Sequence, residues 1–250
     1  MNLNMQIVED AAKELYIRAL KQLPPDIKTG FNRLAESETD TTASTILGTM
    51  MVNIEVAEKT NNLLCQDTGL PIYNIYIGPG LQFDGVKLKQ AIRLGCERAT
   101  KEHPLRSSVV HPITRVNNHT GTGERIPVIN VDFIDRSEEL RMEMVPKGSG
   151  SENGSFLRMC VPAEGVNAVK TFVIDQVIEA GGKVCPPTIV GVGVGGTADL
   201  CMHLAKKAAT RPLGGYCNDT EGAKLEKELS AAVNSLGIGP QGLGGESTAF

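Results

Sequence analysis

With 250 residues, 41% of them hydrophobic and 22% charged, the chain has enough length and apolar content for one large domain or two small ones, and a disordered polymer is excluded. A net charge of −4 argues against a nucleic-acid surface, which rests on clustered Lys and Arg. No apolar run approaches the ~18 residues of a membrane span, and the N-terminal MNLNMQIVED has no basic stretch leading into an apolar one, so neither a membrane anchor nor a secretory signal is expected.

Ile7, Val8, Ala11, Ala12, Leu15, Ala19 and Leu23 recur every three or four residues and predict a helix that Pro24-Pro25 ends. A second helix, capped by Thr41 or Thr42, runs through Ile46, Met50, Ile54 and Ala57 towards Asn61-Asn62. Pro71 to Ile77 is β-branched and aromatic, is closed by Gly78-Pro79-Gly80, and reads as a strand. A helix from Asp84 to Thr100 follows, then a polar loop from Pro104 to Thr122. Ile126 to Phe133 and Leu140 to Val145 look like a pair of strands, and Lys147 to Ser155 like a Gly/Ser loop. Pro162 to Ala180 is a helix stopped by Gly181-Gly182, Thr188 to Val194 a buried strand, and Thr197 to Ala209 and Glu221 to Leu236 are helices. No repeat and no low-complexity linker divides the chain, so residues 1–250 are expected to form a single α/β (mixed α+β) domain, helices packed around a mixed sheet.

The 27 Gly and 13 Pro beside no Trp put residues into tight loops rather than aromatic core blocks. Six Cys without a secretory signal fit a reducing, cytoplasmic setting, where thiols are buried, catalytic or metal-bound. Gly191-Val-Gly-Val-Gly-Gly196 fits the dinucleotide pattern G-x-G-x-x-G, but no second strand ending in an acidic residue follows ~20 positions on. Its glycines are better read as allowing close strand–helix packing, or as a nest for a small carboxylate. Cys65-Gln66-Asp67-Thr68-Gly69 places a thiol and three hydrogen-bonding side chains at one turn, with a capped turn and a buried Cys as the lesser alternative. Cys185 is held by Pro186-Pro187, as a metal ligand on a loop would be. Neither Cys forms C-x-x-C, and single, widely separated Cys ligands suit an iron–sulfur cluster better than zinc. Arg106, Arg115, His111, His119 and Lys147 supply cationic or proton-transferring groups in polar loops, where a solvated surface role is the simpler reading of any one of them. The loop Gly148 to Ser155 offers free amides but lacks the Gly-Lys-Ser/Thr ending of a P-loop, so ATP binding is not supported.

Six segments in order carry a resemblance: LLCQDTG (63–69), HTGTG (119–123), KGSGSEN (147–153), VCPPTIVGVGVGGTAD (184–199), ATRPLG (209–214) and LGIGPQGLGG (236–245). Together they resemble the α subunit, or N-terminal half, of the iron–sulfur-dependent class I fumarase and tartrate dehydratase family, over essentially the whole chain after about residue 40. GSGSEN resembles the fumarase branch more than the tartrate branch. The resemblance implies a hydro-lyase subunit interconverting (S)-malate and fumarate, with L-tartrate dehydratase, a mesaconate-type hydratase and a non-catalytic α-like subunit as alternatives. It implies a [4Fe–4S] cluster acting as Lewis acid, with Cys65 and Cys185 as two of three Cys ligands. Gln66 and Asp67 would face a small dicarboxylate, Asp67 sharing the proton transfer; Arg106 would grip a carboxylate and Gly148 would offer its amide. A β subunit would complete the active site in an α₂β₂ assembly. In the family a third cluster Cys and a substrate-contacting His follow GPQGLGG by some tens of residues. Cys96, Cys160, Cys201 and Cys217 do not match it, so the isolated chain is expected to be apo and inactive.

Overall fold

In the computed structural model, which describes residues 3–135 and 139–250, Asn4 opens the first helix by accepting the Gln6 amide at 2.9 Å. Helix α1 (Met5–Lys21) buries Val8, Ala12, Tyr16, Ile17 and Leu20 and leaves Ile7 in solvent, so its buried stripe is narrower than the periodicity suggested. Helix α2 (Pro25–Ser37) then begins where the Pro pair was expected only to end a helix. Pro25 lacks the N–H that a helix interior needs, but the first turn leaves its N–H groups free, so a proline is at home there. Helix α3 (Thr41–Lys59) is capped by Asp40, whose carboxylate accepts the Ala43 amide at 2.8 Å, rather than by Thr41 or Thr42.

The chain gathers into two compact units, one of residues up to Leu23 with Ile54–Ser149, the other of Pro24–Asn53 with Gly150–Phe250. In the first, β1 (Leu70–Ile77) is the middle strand of a mixed three-stranded sheet. Helix α4 (Gly85–Glu102), capped by Asp84, is the crossover that brings β2 (Val128–Phe133) parallel to β1, with Ile72 opposite Val128. Strand β3 (Leu140–Lys147) runs antiparallel on the other edge, with Tyr73 opposite Met144. The two strands expected as a pair thus flank β1 and do not touch each other, because both edges of β1 are filled. The α/β class with a mixed sheet, expected from the sequence, holds.

The core of this unit is the face of β1 carrying Tyr73, Ile75 and Ile77, covered by α1 and by Leu88, Ala91, Ile92, Cys96 and Ala99 of α4. The helices meet closely at Gly95, where a Cβ would collide with the Glu9 carbonyl. Tyr73 is fully buried and donates to the Ala12 carbonyl at 2.9 Å, so its polar tip is satisfied inside the core.

The second unit is helical. A short helix α5 (Ser149–Asn153), begun by the first unit's last residue, occupies what read as a Gly/Ser loop. Helices α6 (Gly165–Ala180), α7 (Ala198–Ala209) and α8 (Thr220–Asn234) follow. The buried strand expected over Thr188–Val194 does not form: Thr188 makes one isolated bridge, to Ala249, and Val190 and Val194 are 39% and 60% exposed. The reason is in its glycines. Gly191 and Gly193 lie flush on α7, where a Cβ would run into the Ala205 and Cys201 carbonyls, so a helix rather than a strand is their neighbour. Among the described residues no helix is long and apolar enough to cross a membrane.

The last residues of the chain are held by Glu38, at the end of α2. Its carboxylate accepts the Thr39, Asp40, Glu246 and Ser247 amides at 2.9–3.2 Å and the Ser247 hydroxyl at 2.6 Å. Burial raises its pKa, but the bonds from Ser247, Asp40 and Glu246 outweigh that and hold it below the ordinary glutamate range. A carboxylate with a depressed folded pKa contributes stability above its unfolded value, and loses it as pH falls through the folded one. Glu38→Gln is therefore expected to lower stability at neutral pH by about 1–3 kcal/mol, with the gap from the parent protein closing below about pH 4. Urea midpoints measured from pH 3 to 7 check this; a gap that is constant with pH refutes the assignment.

Candidate active site

The turn after α3 carries Cys65, Gln66 and Asp67 with Thr68 and Gly69, immediately before β1. Thr68 is the anchor. It is 0% exposed, and its hydroxyl donates to the backbone carbonyl of Arg106, tying this turn to the loop after α4. Gly69 has φ +67°, and a Cβ there would stand 2.5 Å from the Lys147 carbonyl carbon and 2.7 Å from the Gly148 nitrogen, so the turn lies directly on the end of β3. Tyr16, in the core, donates to the Gly69 carbonyl at 3.3 Å from beneath.

These clasps bring Asp67, Arg106, Gly148 and Ser149 together. Asp67 Oδ1 lies 3.9 Å from Arg106 Nη2, an open ion pair in which Arg106 keeps 62% of its side chain in solvent and Asp67 29%. Asp67 Oδ2 accepts from the Ser149 hydroxyl at 3.2 Å and rests against Gly148, where a Cβ would be 2.7 Å away. Gly148 is therefore a glycine because the carboxylate occupies the space of a side chain. Cys65 is exposed at the head of the turn, its Sγ accepting the Asp67 amide at 3.4 Å, and Gln66 beside it is exposed as well. A thiol, an amide, a carboxylate and a guanidinium thus share one surface. A guanidinium with free donors can fork onto an incoming carboxylate, and an adjacent carboxylate can carry a proton.

The loop carrying Arg106 is itself fastened. Ser107 accepts the Asn117 side-chain amide on its carbonyl at 2.9 Å and the Gly121 amide on its hydroxyl at 3.1 Å, which ties HTGTG to Arg106. His111 is spent on its own turn, Nδ1 accepting the Ile113 and Thr114 amides at 3.3 and 3.1 Å. Arg115 and His119 are exposed turn residues with positive φ, and Lys147 ends β3.

Cys185 belongs to the second unit. It is exposed, takes the left-handed conformation at φ +56°, and donates its amide to the Gly182 carbonyl at 3.1 Å. Pro186 behind it is fully buried, and its carbonyl accepts the Gln241 amide at 2.8 Å, so the VCPP and GPQGLGG segments pack together. A non-glycine residue held at positive φ needs such support on both sides. Cys160 is exposed as well and Cys217 is half-buried, so exposure by itself does not single out Cys65 and Cys185. Cys96 is fully buried and burial pushes its thiol up to about 12, while Cys201 donates to the Gly193 carbonyl at 3.2 Å. Cys65 and Cys185 present the soft, accessible sulfur donors that iron takes, but among the described residues no three His, Cys, Asp or Glu side chains gather to hold a metal ion.

Among protein families, the model described as fumarate hydratase (Fumerase) matches residues 9–250. The chain belongs to that family. It is 43% identical over 246 residues to a protein of Methanocaldococcus jannaschii named as a putative L(+)-tartrate dehydratase subunit alpha, covering 97% of this chain and 86% of that one. It is 31% identical over 227 residues to the L(+)-tartrate dehydratase subunit alpha of Escherichia coli K12, covering 91% and 75% respectively. Family membership extends to the chemistry at the level of a hydro-lyase of the tartrate dehydratase and fumarase type.

The sequence marks Thr68 only as one of three hydrogen-bonding side chains at its turn and gives Ser149 no role of its own. Thr68 stands inside CQDTG, where its neighbours draw the attention, and Ser149 inside a Gly/Ser run that reads as flexible. Thr68→Val keeps the shape, removes the donor, and leaves the Arg106 carbonyl unpaired. A loss of about 1–3 kcal/mol is expected in a urea titration, largely recovered in Thr68→Ser. Equal stability of Val and Thr would show that the clasp does not hold the two loops.

Proposed function

We propose that this chain is the α subunit of a hydro-lyase that removes water from a small hydroxy dicarboxylate, L(+)-tartrate first. The observation that carries it is the Asp67–Arg106 pair at 3.9 Å over Gly148, a carboxylate-binding cation beside a proton-carrying carboxylate. Arg106 takes one substrate carboxylate in a forked contact, and Gln66 and the Gly148 amide orient the rest of the molecule. Asp67 shares in moving the proton that leaves carbon. One C–H and one C–O bond break, a C=C bond forms, and water departs; the enol produced from tartrate becomes oxaloacetate. A [4Fe–4S] cluster held in part by Cys65 and Cys185 would supply a Lewis acid that eases loss of the hydroxyl. The remaining ligand and further substrate contacts would come from a β subunit, since the relatives are named as alpha subunits.

The preference for malate and fumarate, drawn from GSGSEN, gives way here to tartrate because the matched relatives are named for it. Malate and fumarate remain the second reading, favoured by the description of the matching family model. An activity panel of L(+)-tartrate, (S)-malate, fumarate and mesaconate on the reconstituted complex decides between them. Turnover of malate or fumarate with none of tartrate would reverse the order.

The thiol assignment has its own test. Anaerobic reconstitution of the complex with iron and sulfide should give the broad visible absorbance of thiolate-bound iron. Cys65→Ser and Cys185→Ser should each abolish it, and Cys96→Ser should not. Full absorbance in both of the first two variants would remove them from the ligand set.

A further inference from the structure

Ser149 is the one member of the cluster to which the family resemblance gives no role, and its hydroxyl touches the group on which the proposed reaction turns. The two oxygens of Asp67 are not equivalent. Oδ1 lies on the Arg106 side and is closed to solvent, whereas Oδ2 rests on Gly148 and accepts the Ser149 hydroxyl at 3.2 Å. Ser149 itself is exposed, so this contact lies at the surface.

We propose that Ser149 is a positioning residue for Asp67, its hydroxyl holding Oδ2 over Gly148 in the orientation that the reaction needs. The inference rests on the reading of Asp67 as the proton-carrying group. The Ser149 Oγ–H donates to Oδ2 and so fixes the rotation of the Asp67 carboxylate about its Cβ–Cγ bond. No bond to Ser149 is made or broken. A carboxylate held in one orientation is what a proton carrier needs, since small misplacements of a reacting group are costly in rate. Gly148 and Ser149 thus act as a pair: the first leaves room for the carboxylate, the second fixes its orientation.

Because Ser149 is exposed and has no packing role, its substitution should leave stability nearly unchanged. In the cluster-loaded complex with its partner subunit, assayed with L(+)-tartrate and with (S)-malate, Ser149→Ala is expected to lower kcat by about 5- to 30-fold, the scale of one hydrogen bond to a charged group, with KM and the thermal midpoint nearly unchanged. Ser149→Thr, which keeps the hydroxyl, should restore most of the rate. In an Asp67→Asn background Ser149→Ala should add no further loss, because the group it positions is gone. Full activity of Ser149→Ala beside a collapsed Asp67→Asn would overturn the proposal while leaving the site reading intact. Equal loss in the Ala and Thr variants would overturn it too, by showing that bulk and not the hydroxyl matters. Full activity of Asp67→Asn would instead bring down the reading on which the proposal stands.

Discussion

Two backbones meet in the first unit with nothing between them, and the candidate site follows from that approach. Gly69 lies on the Lys147–Gly148 peptide so closely that any side chain would push the CQDTG turn off the end of β3. Gly148 repeats the constraint one step on, with the Asp67 carboxylate filling the space its own side chain would take. A carboxylate can only sit beside Ser149 and face Arg106 if both positions are glycine. The hydrogen bonds around it are consequences of this approach: Thr68 to the Arg106 carbonyl, Tyr16 to the Gly69 carbonyl and Ser149 to Oδ2 all span gaps that the glycines have closed.

The sequence exposed much of this and hid the rest for identifiable reasons. A helix with a clear stripe, such as α1, is set by local chemistry and was readable from Val8 and Ala12, whereas of the apolar residues that mark α4, Ala91 and Cys96 are buried and Val86 and Leu94 exposed. Which strands pair is decided by the crossover through α4 and by the two open edges of β1, and no residue of β2 or β3 announces that. The Pro24-Pro25 pair carries both a stop and a start signal, and only the start of α2 at Pro25 shows that both were used. Thr188–Val194 has strand composition but no free strand edge to join; its glycines took the backbone of α7 instead, and local propensity yielded to packing.

At the candidate site, residue types were legible and geometry was not. A Cys, Gln and Asp in sequence beside a remote Arg could be matched to a chemistry, but the 3.9 Å between Asp67 and Arg106 depends on the Thr68 and Ser107 clasps, made between side chains and backbone groups far apart in sequence. The six cysteines show the same limit. Cys96 and Cys65 are the same residue, yet one packs in the core with its thiol pushed up to about 12 by burial and the other stands exposed at the head of a turn. Burial removes Cys96 from the thiols available to a metal, which its spacing could not show.

The two units hold their functional loops by different chemistry, and that difference has a physical consequence. In the first, the holding groups are neutral: the Tyr16 and Thr68 hydroxyls donate to the Gly69 and Arg106 carbonyls, the Ser107 hydroxyl accepts the Gly121 amide, and the Cys96 thiol lies 3.6 Å from the Gly121 carbonyl. Burial raises the pKa of Tyr16, so that its donor stays protonated across any working pH. In the second, the segment that follows GPQGLGG is held by the Glu38 carboxylate, an acceptor that protonation weakens. Acid therefore acts unequally on the chain. It strips the hold on Glu246 and Ser247 while the Tyr16, Thr68, Ser107 and Cys96 clasps of the first unit are left as they are.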